Sequence, residues 1–239
     1  MAKIIRCLIL CSVNILLISC SSNDPKDQLE KINRPVYSFN HGIDTVLYKP
    51  FASIYDAAIP DPVEKGVSNA FDNIAEIPII INNLLQFRIG NALEDTWRLI
   101  FNSTIGIGGL YDPATRFGLK KNYEDLGLTF SRWGMKTPYF VIPFIGPSTL
   151  GDAIGLALDY ELFMIYPYIK SKSLKYGLLT LDFIRLRAEL LPTDKLVEQS
   201  FDPYVFIRDA YTQKRTYLLN PEQQDNYVYV EERSEFLPR

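Results

Sequence analysis

Three carboxylates in an apolar part of the chain are the first candidates for catalysis. Asp152, Asp159 and Glu161 lie close together in the sequence. Paired carboxylates can serve as the acid and the base of a glycosidase-like hydrolase. Helix caps and solvated helix faces use the same residue types. The sequence favours these structural roles and leaves a hydrolase as the alternative.

Other kinds of catalytic or binding centre lack the residues they need. His41 is the only histidine, and no serine stands in the G-x-S-x-G pattern that would complete a triad. A zinc site needs three or four His, Cys or carboxylate ligands, so we expect no metal and no catalytic residue. The glycines at 106–109 do not form a dinucleotide loop, because Tyr111 stands where the third glycine is required.

Cys20 is the strongest candidate for a covalent modification. A short apolar run follows a positively charged N-terminus and ends in Leu17-Ile18-Ser19-Cys20, which resembles the lipobox of a bacterial lipoprotein signal. The run is shorter than the roughly 20 residues that span a bilayer. We therefore expect residues 1–19 to be a cleaved signal peptide. Cys20 would carry diacylglyceryl and N-acyl groups, and residues 20–27 would form a flexible tether.

The composition excludes several other partners. Cys7, Cys11 and Cys20 all lie in or directly after the expected signal peptide, so the mature chain keeps no free thiol for disulfides or metals. We expect no cofactor besides the acyl groups. The net charge of −3 is the opposite of a nucleic-acid-binding surface. Ser21 follows the cysteine where Asp would favour the inner membrane, which predicts an anchor on the periplasmic side of the outer membrane.

Apolar residues that recur every three or four positions predict an all-α domain over residues 28–218. Asp112-Pro113 and Asp202-Pro203 suit helix starts, and Asn91 with Glu94 suggests a capping box. Period-two alternation occurs only at 226–232, inside an expected loose, charged tail at 219–239. The predicted short helices, joined by Pro and Gly turns, are 28–48, 50–59, 62–74, 78–88, 92–105, 113–117, 123–133, 148–160, 173–191, 194–199 and 203–218.

Two segments lack the polar stripe of an ordinary surface helix. Residues 76–90 are apolar nearly all round, and residues 137–169 are long, aromatic and interrupted by prolines. Such segments lie in a core or face lipid. Basic residues gather in two groups: Arg116, Lys120, Lys121, Arg132 and Lys136, then Lys170, Lys172 and Lys175. Most such groups are solvated, and beside a membrane they can also contact phospholipid headgroups.

Five blocks in a fixed order resemble the MlaA (VacJ) lipoprotein family, over about residues 17–217. They are DQLEKINRPVYSFN (27–40), NIAEIPIIINNLLQ (73–86), FNSTIGIGGLYDPA (101–114), PYFVIPFIGPSTLGDAIG (138–155) and SFDPYVFIRDAYTQKR (200–215). The resemblance implies a ring of helices in the inner leaflet of the outer membrane, beside a trimeric porin. Phospholipids that have strayed into the outer leaflet would pass through an amphipathic channel to a periplasmic carrier of the Mla type, without covalent chemistry.

The resemblance also points to two channel-lining or gating segments. Glycines in the first segment would let a loop follow the lipid path closely or flex. Two positions depart from the family pattern, Pro35 in the first block and Gly151 in place of an arginine. A passive surface or scaffold lipoprotein is a further alternative. The expected lining residues are Gly106, Gly108 and Gly109, with Tyr139, Phe140, Pro143, Phe144 and Pro147.

Overall fold

The computed structural model describes residues 27–220, and most of this part of the chain is helical. The predicted all-α domain is confirmed. The expected signal peptide, Cys20, residues 20–26 of the tether and residues 221–239 of the tail lie outside the described residues. The helices are α1 (Glu30–Ile43), α2 (Lys49–Ala58), α3 (Asp61–Leu85), α4 (Ile89–Thr104), α5 (Pro113–Arg116), α6 (Leu126–Arg132), α7 (Leu150–Leu162), α8 (Lys172–Glu189), α9 (Asp194–Glu198) and α10 (Pro203–Leu219).

Two helices run through interior prolines, and one of them, α3, is longer than the sequence pattern predicts. Pro35 is accommodated in α1, which continues through a π-helical turn, Asp44–Tyr48, into α2. Pro78 lies inside α3, so the predicted break between 62–74 and 78–88 is wrong. An interior proline costs about 3 kcal/mol in an isolated helix. The packing of α3 against α4 offsets this cost, since Pro78 itself is buried.

The helix starts at Asp112 and Asp202 are confirmed, whereas the capping box is wrong. The Asp112 carboxylate accepts the Thr115 amide, and Asp202 accepts two amides of the first turn of α10. Helix α4 begins at Ile89, before the predicted cap at Asn91. The Asn91 side chain instead donates to Asn122 at 3.0 Å.

A two-stranded antiparallel hairpin was not expected from the sequence. Its strands are β1 (Tyr139–Ile142) and β2 (Gly146–Thr149), and β2 includes the first two residues, 148 and 149, of the predicted helix 148–160. The buried side chain of Asn33 on α1 holds this hairpin. It accepts the amide of Val141 at 3.0 Å and donates to the carbonyl of Tyr139 at 3.2 Å.

Helices α6 and α7 cross with their backbones in contact. A Cβ atom added at Gly155 would stand 2.4 Å from the amide nitrogen of Gly127, a distance that no side chain tolerates. The Asp159 carboxylate on α7 accepts the amide of Leu126 at 2.8 Å, which fixes the start of α6. The crossing therefore requires glycine at both positions.

Gly155→Ala is expected to destabilise the domain by about 1–3 kcal/mol, because the added methyl group forces the two helices apart. Gly177 on α8 serves as the matched control, since a methyl group added there would have no atom within 4 Å. Gly177→Ala should be neutral or stabilising by up to about 1 kcal/mol, because alanine favours the helix. Thermal unfolding of both variants in detergent checks the difference. Equal effects would contradict the close crossing.

Candidate functional site

The interior of the domain contains many polar side chains, and much of its surface is apolar. The largest fully buried side chains include Arg98 and Glu76, which are 2% and 1% exposed. Large apolar side chains such as Leu93, Trp97 and Phe51 are exposed. Within residues 27–220 no helix has both the length and the hydropathy to cross a membrane. The other fully buried polar residues of this size are Asn33, Asn82, Asn83, Thr129, Asp27 and Asp95.

Arg98 on α4 is the centre of the polar interior. Its guanidinium donates to Glu76 Oε1 of α3 and to Asp112 Oδ2, each at 3.0 Å. It also donates to the carbonyl of Leu119 at 2.8 Å and to Thr115 Oγ1 at 3.1 Å. One side chain thus ties together α3, α4, the start of α5 and the segment that follows α5.

Asp95, one turn before Arg98, extends this network. Its two carboxylate oxygens accept the side-chain amides of Asn83 and Asn122, both at 2.7 Å. Lys121 donates to Asp72 Oδ2 at 2.6 Å on the same side of α3. We call Asp72, Glu76, Asp95, Arg98, Asp112 and Lys121 the polar cluster.

Burial sets the protonation behaviour of the cluster. Loss of water raises the pKa of Glu76 to about 7, although Arg98 opposes the rise. Burial likewise raises the pKa of Asp95 to about 6, against the two amide hydrogen bonds. At Asp112, burial is outweighed by hydrogen bonds from Thr115 and by Arg98, which lower the pKa of its carboxyl.

The cleft at the polar cluster is too small for a lipid headgroup. Its volume is about 10 Å³, which is room for one water molecule. Two oxygen atoms there, Asn73 Oδ1 and Glu76 Oε2, are buried without a hydrogen-bond partner. A wider, open cleft of about 360 Å³ lies between α1 and the start of α10, and it contains His41. The ring of His41 stacks on Tyr37 with centroids 6.1 Å apart.

The glycine loop that the sequence singled out is tightly held against α3. Gly106 is buried. Gly109 has a φ of +91°, and a Cβ atom added there would stand 2.7 Å from the Asn73 Cβ atom. Asn73 donates to Ser103 Oγ at 3.0 Å, and Asn69 donates to the carbonyl of Leu110 at 3.2 Å. Gly108, by contrast, faces open space. The loop follows the polar cluster closely and presents its apolar side chains outward.

The aromatic segment lies in the hairpin, and its residues have different environments. Tyr139 is buried against Tyr204 and Tyr211 of α10. Phe140 is half-buried, whereas Pro143, Phe144 and Pro147 are exposed. Phe144 lies edge-on to Phe39 of α1, with ring centroids 5.1 Å apart. The hairpin thus contacts α1 and α10, while the glycine loop contacts α3.

Two of the three candidate catalytic carboxylates are bonded to other parts of the fold, and the third is exposed. Asp159 is buried, accepts Asn82 Nδ2 at 3.0 Å, and has a pKa that burial raises to about 6. Asp152 pairs with Arg215 and accepts the hydroxyl of Tyr211. Glu161 is exposed at the end of α7. The structure does not bring them together as an acid–base pair in a cleft, which supports the capping and packing interpretation.

Sequence reasoning missed the polar cluster, although a signal for it was present. Ala92, Asp95, Arg98 and Asn102 recur at helical spacing and form the buried face of α4. Such a polar stripe normally faces water, so its spacing alone does not mark it as the inner face.

This arrangement defines a class of protein: a helical domain that keeps ion pairs inside and covers its surface with apolar side chains. Apolar surface of this extent is used for contact with a membrane or another protein. The family model of the MlaA lipoprotein matches residues 25–218. The chain therefore belongs to the MlaA lipoprotein family.

Curated relatives and a solved structure agree with this assignment. The intermembrane phospholipid transport system lipoproteins MlaA of Shigella flexneri and Escherichia coli (strain K12) are each 31% identical over 217 residues, which is 86% of this chain and 85% of theirs. A structure from work on the structural basis for maintenance of bacterial outer membrane lipid asymmetry has a TM-score of 0.72 and 29% identity. That match covers 81% of this chain and 99% of the other.

Arg98→Ala is expected to destabilise the domain by roughly 3–5 kcal/mol, because it leaves Glu76 and Asp112 without their buried partner. Arg116→Ala is the matched control, since Arg116 is exposed and makes no ion pair within residues 27–220. The control should change stability by less than about 0.5 kcal/mol. Thermal unfolding in detergent, followed by circular dichroism, measures both. Similar melting curves for the two variants would rule out a structural role for Arg98.

Glu76→Gln is expected to flatten the pH dependence of stability between about pH 4.5 and 8. Because the pKa of Glu76 is raised to about 7 in the folded state, the folded protein binds this proton more tightly than the unfolded chain. The resulting stabilisation is complete below pH 4.5 and is lost as the pH rises through 7. Wild type should thus lose roughly 1–3 kcal/mol relative to the variant. Chemical denaturation across this range tests it, and parallel curves would contradict it.

Proposed function

We propose that this chain removes mislocalised phospholipids from the outer leaflet of the outer membrane and passes them to a periplasmic carrier, so that lipid asymmetry is maintained. The observation that carries the proposal is the polar interior beneath an apolar surface. A lipid-handling protein needs apolar surface for acyl chains and polar groups for headgroups, and this domain has both. Family membership supports the same role, because the curated relatives are named for intermembrane phospholipid transport.

The proposed location combines a lipid anchor with lipid-facing helices. Acyl groups on Cys20 would hold the N-terminus at the inner face of the outer membrane, because two or more chains anchor a protein stably. The exposed apolar side chains of α2 and α4 would then lie in the leaflet instead of in water. These helices are too short to span it, which suits a position within one leaflet.

The lipid path is proposed to run past the glycine loop and the hairpin of a ring-like domain. Gly106, Gly108 and Gly109 would line it on the side of α3. Tyr139, Phe140, Pro143, Phe144 and Pro147 would do so on the side of α1. The polar cleft holds only about one water in this conformation, so passage of a headgroup requires these segments to move apart. A trimeric porin beside the ring and an Mla-type carrier are the proposed partners.

The transport itself is proposed to involve no bond making or breaking. The Asp152 and Asp159 carboxylates accept hydrogen bonds from Arg215, Tyr211, Asn82 and the Leu126 amide, which favours structural roles for both. No cofactor beyond the acyl groups on Cys20 is proposed.

Deletion of the gene is expected to raise the phospholipid content of the outer leaflet. The full chain should restore the normal level, whereas Cys20→Ala should not, because it loses the anchor. Lys65→Gln is the control that should complement fully, because Lys65 is exposed and belongs to neither group of basic residues. Labelling of surface-exposed phospholipid in intact cells measures the level. An unchanged level in the deletion strain would contradict the proposed transport, and full complementation by Cys20→Ala would contradict the anchor.

A further inference from the structure

Lysines at and just before the start of α8 form a positively charged surface that the proposed lipid path does not use. We propose that this surface docks on the headgroups of anionic phospholipids at the edge of the leaflet that holds the domain. The proposal rests on the membrane location proposed above and adds the headgroup charge and the contact point. We call it the basic–aromatic face: Lys170, Lys172 and Lys175 with Tyr168 and Tyr176.

The charge of this region is opposite to that of the whole chain. No acidic residue stands between Glu161 and Asp182, and the three lysines of the face lie in that interval. The whole chain has a net charge of −3. A positive surface on an acidic protein selects an anionic partner at the surface where it lies.

The lysines of the face are not used in the fold. Buried and half-buried cations elsewhere are paired: Lys121 with Asp72, and Arg187 with Asp44. By contrast, none of the face's three ammonium groups lies within ion-pair distance of a carboxylate in the described part of the chain. The Lys175 Nζ lies over the ring of Tyr160, 5.9 Å from its centroid. These charges are therefore available to a ligand.

The neighbouring side chains have the chemistry of a membrane interface. Tyr168 and Tyr176 are 71% and 62% exposed, and Leu174 between them in sequence is exposed too. Tyrosine suits the boundary between headgroups and acyl chains, because its ring is apolar and its hydroxyl is polar. Lysine stems can lie along such a surface while the ammonium groups reach the phosphates. This mixture favours a lipid surface over an acidic protein as the partner.

The other half of α8 holds the face in a fixed orientation. Arg187 pairs with Asp44 and Asp194, which lie outside α8. Arg185 donates to Ser68 Oγ of α3 at 2.9 Å. Helix α8 packs against α2 and α3, the helices that carry the exposed apolar surface and the polar cluster. The helix that carries the face is thus bonded to the body, and docking the face would fix the orientation of the domain on the leaflet.

Vesicle competition tests the proposal with the full lipidated chain. Detergent-solubilised protein is offered vesicles of phosphatidylcholine alone and vesicles of equal parts phosphatidylcholine and phosphatidylglycerol, which are then separated by density. Wild type should prefer the anionic vesicles by about tenfold or more, and added salt should reduce the preference. The triple variant Lys170→Gln, Lys172→Gln, Lys175→Gln should lose at least about fivefold of it.

A matched control separates the face from net charge. The triple variant Lys31→Gln, Lys65→Gln, Lys214→Gln removes the same charge from exposed lysines without ion pairs in residues 27–220. It should keep the wild-type preference, and melting curves should show all three proteins folded. An equal loss in both variants, or no loss in the first, would overturn the proposal. The amount of outer-leaflet phospholipid in cells measures the transport role separately. The headgroup-docking proposal and the transport proposal can therefore fail independently.

Discussion

The burial of Arg98 between Glu76 and Asp112 is the constraint on which the rest of the structure depends. A guanidinium removed from water is tolerated only when carboxylates and carbonyls replace its hydration, and here four protein groups do so. Satisfying it requires α3, α4, the Asp112 cap and the segment around Leu119 to meet at one point. Asp112 serves both as the N-cap of α5 and as a partner of Arg98, so the end of the glycine loop is fixed by the same contact. Asn73 and Asn69 fix the loop from the side of α3.

A polar interior has a direct consequence for the surface. When α4 turns Asp95, Arg98 and Asn102 inward, its apolar residues must face outward. Exposure of so many apolar side chains to water is unfavourable, whereas contact with lipid acyl chains is favourable. This arrangement, with polar side chains inside and apolar side chains outside, would explain how a domain without a membrane-spanning helix in residues 27–220 can bind phospholipids. Its outer surface would contact acyl chains, and its charged groups would stay within reach of headgroups. The basic–aromatic face of α8 would add a second, electrostatic contact with the leaflet.

Periodicity predicted where the helices lie better than which way they face. Helix α10 was expected at 203–218 and is found at Pro203–Leu219, because Asp202 and Pro203 define its start locally. The apolar stripe of Leu93, Trp97 and Ile100 was also visible, but such a stripe suits a water-soluble core and a lipid surface equally. The hairpin was missed since each strand has four residues and depends on the distant Asn33. The polar cluster was missed because Arg98 and Glu76 are 22 positions apart in the chain. Gly109 stands so close to α3 that an added Cβ atom would lie 2.7 Å from the Asn73 Cβ atom.

The most direct test of an apolar surface that faces lipid uses the two native tryptophans. Trp97 and Trp133 are 51% and 59% exposed, and the chain has no others. Trp133→Phe leaves Trp97 on α4 as the single fluorophore. In proteoliposomes whose acyl chains carry bromine, its emission should be strongly quenched, while aqueous iodide should have little effect. Quenching by iodide without quenching by brominated chains would show that this surface faces water, and would contradict the proposed placement of the domain in the leaflet.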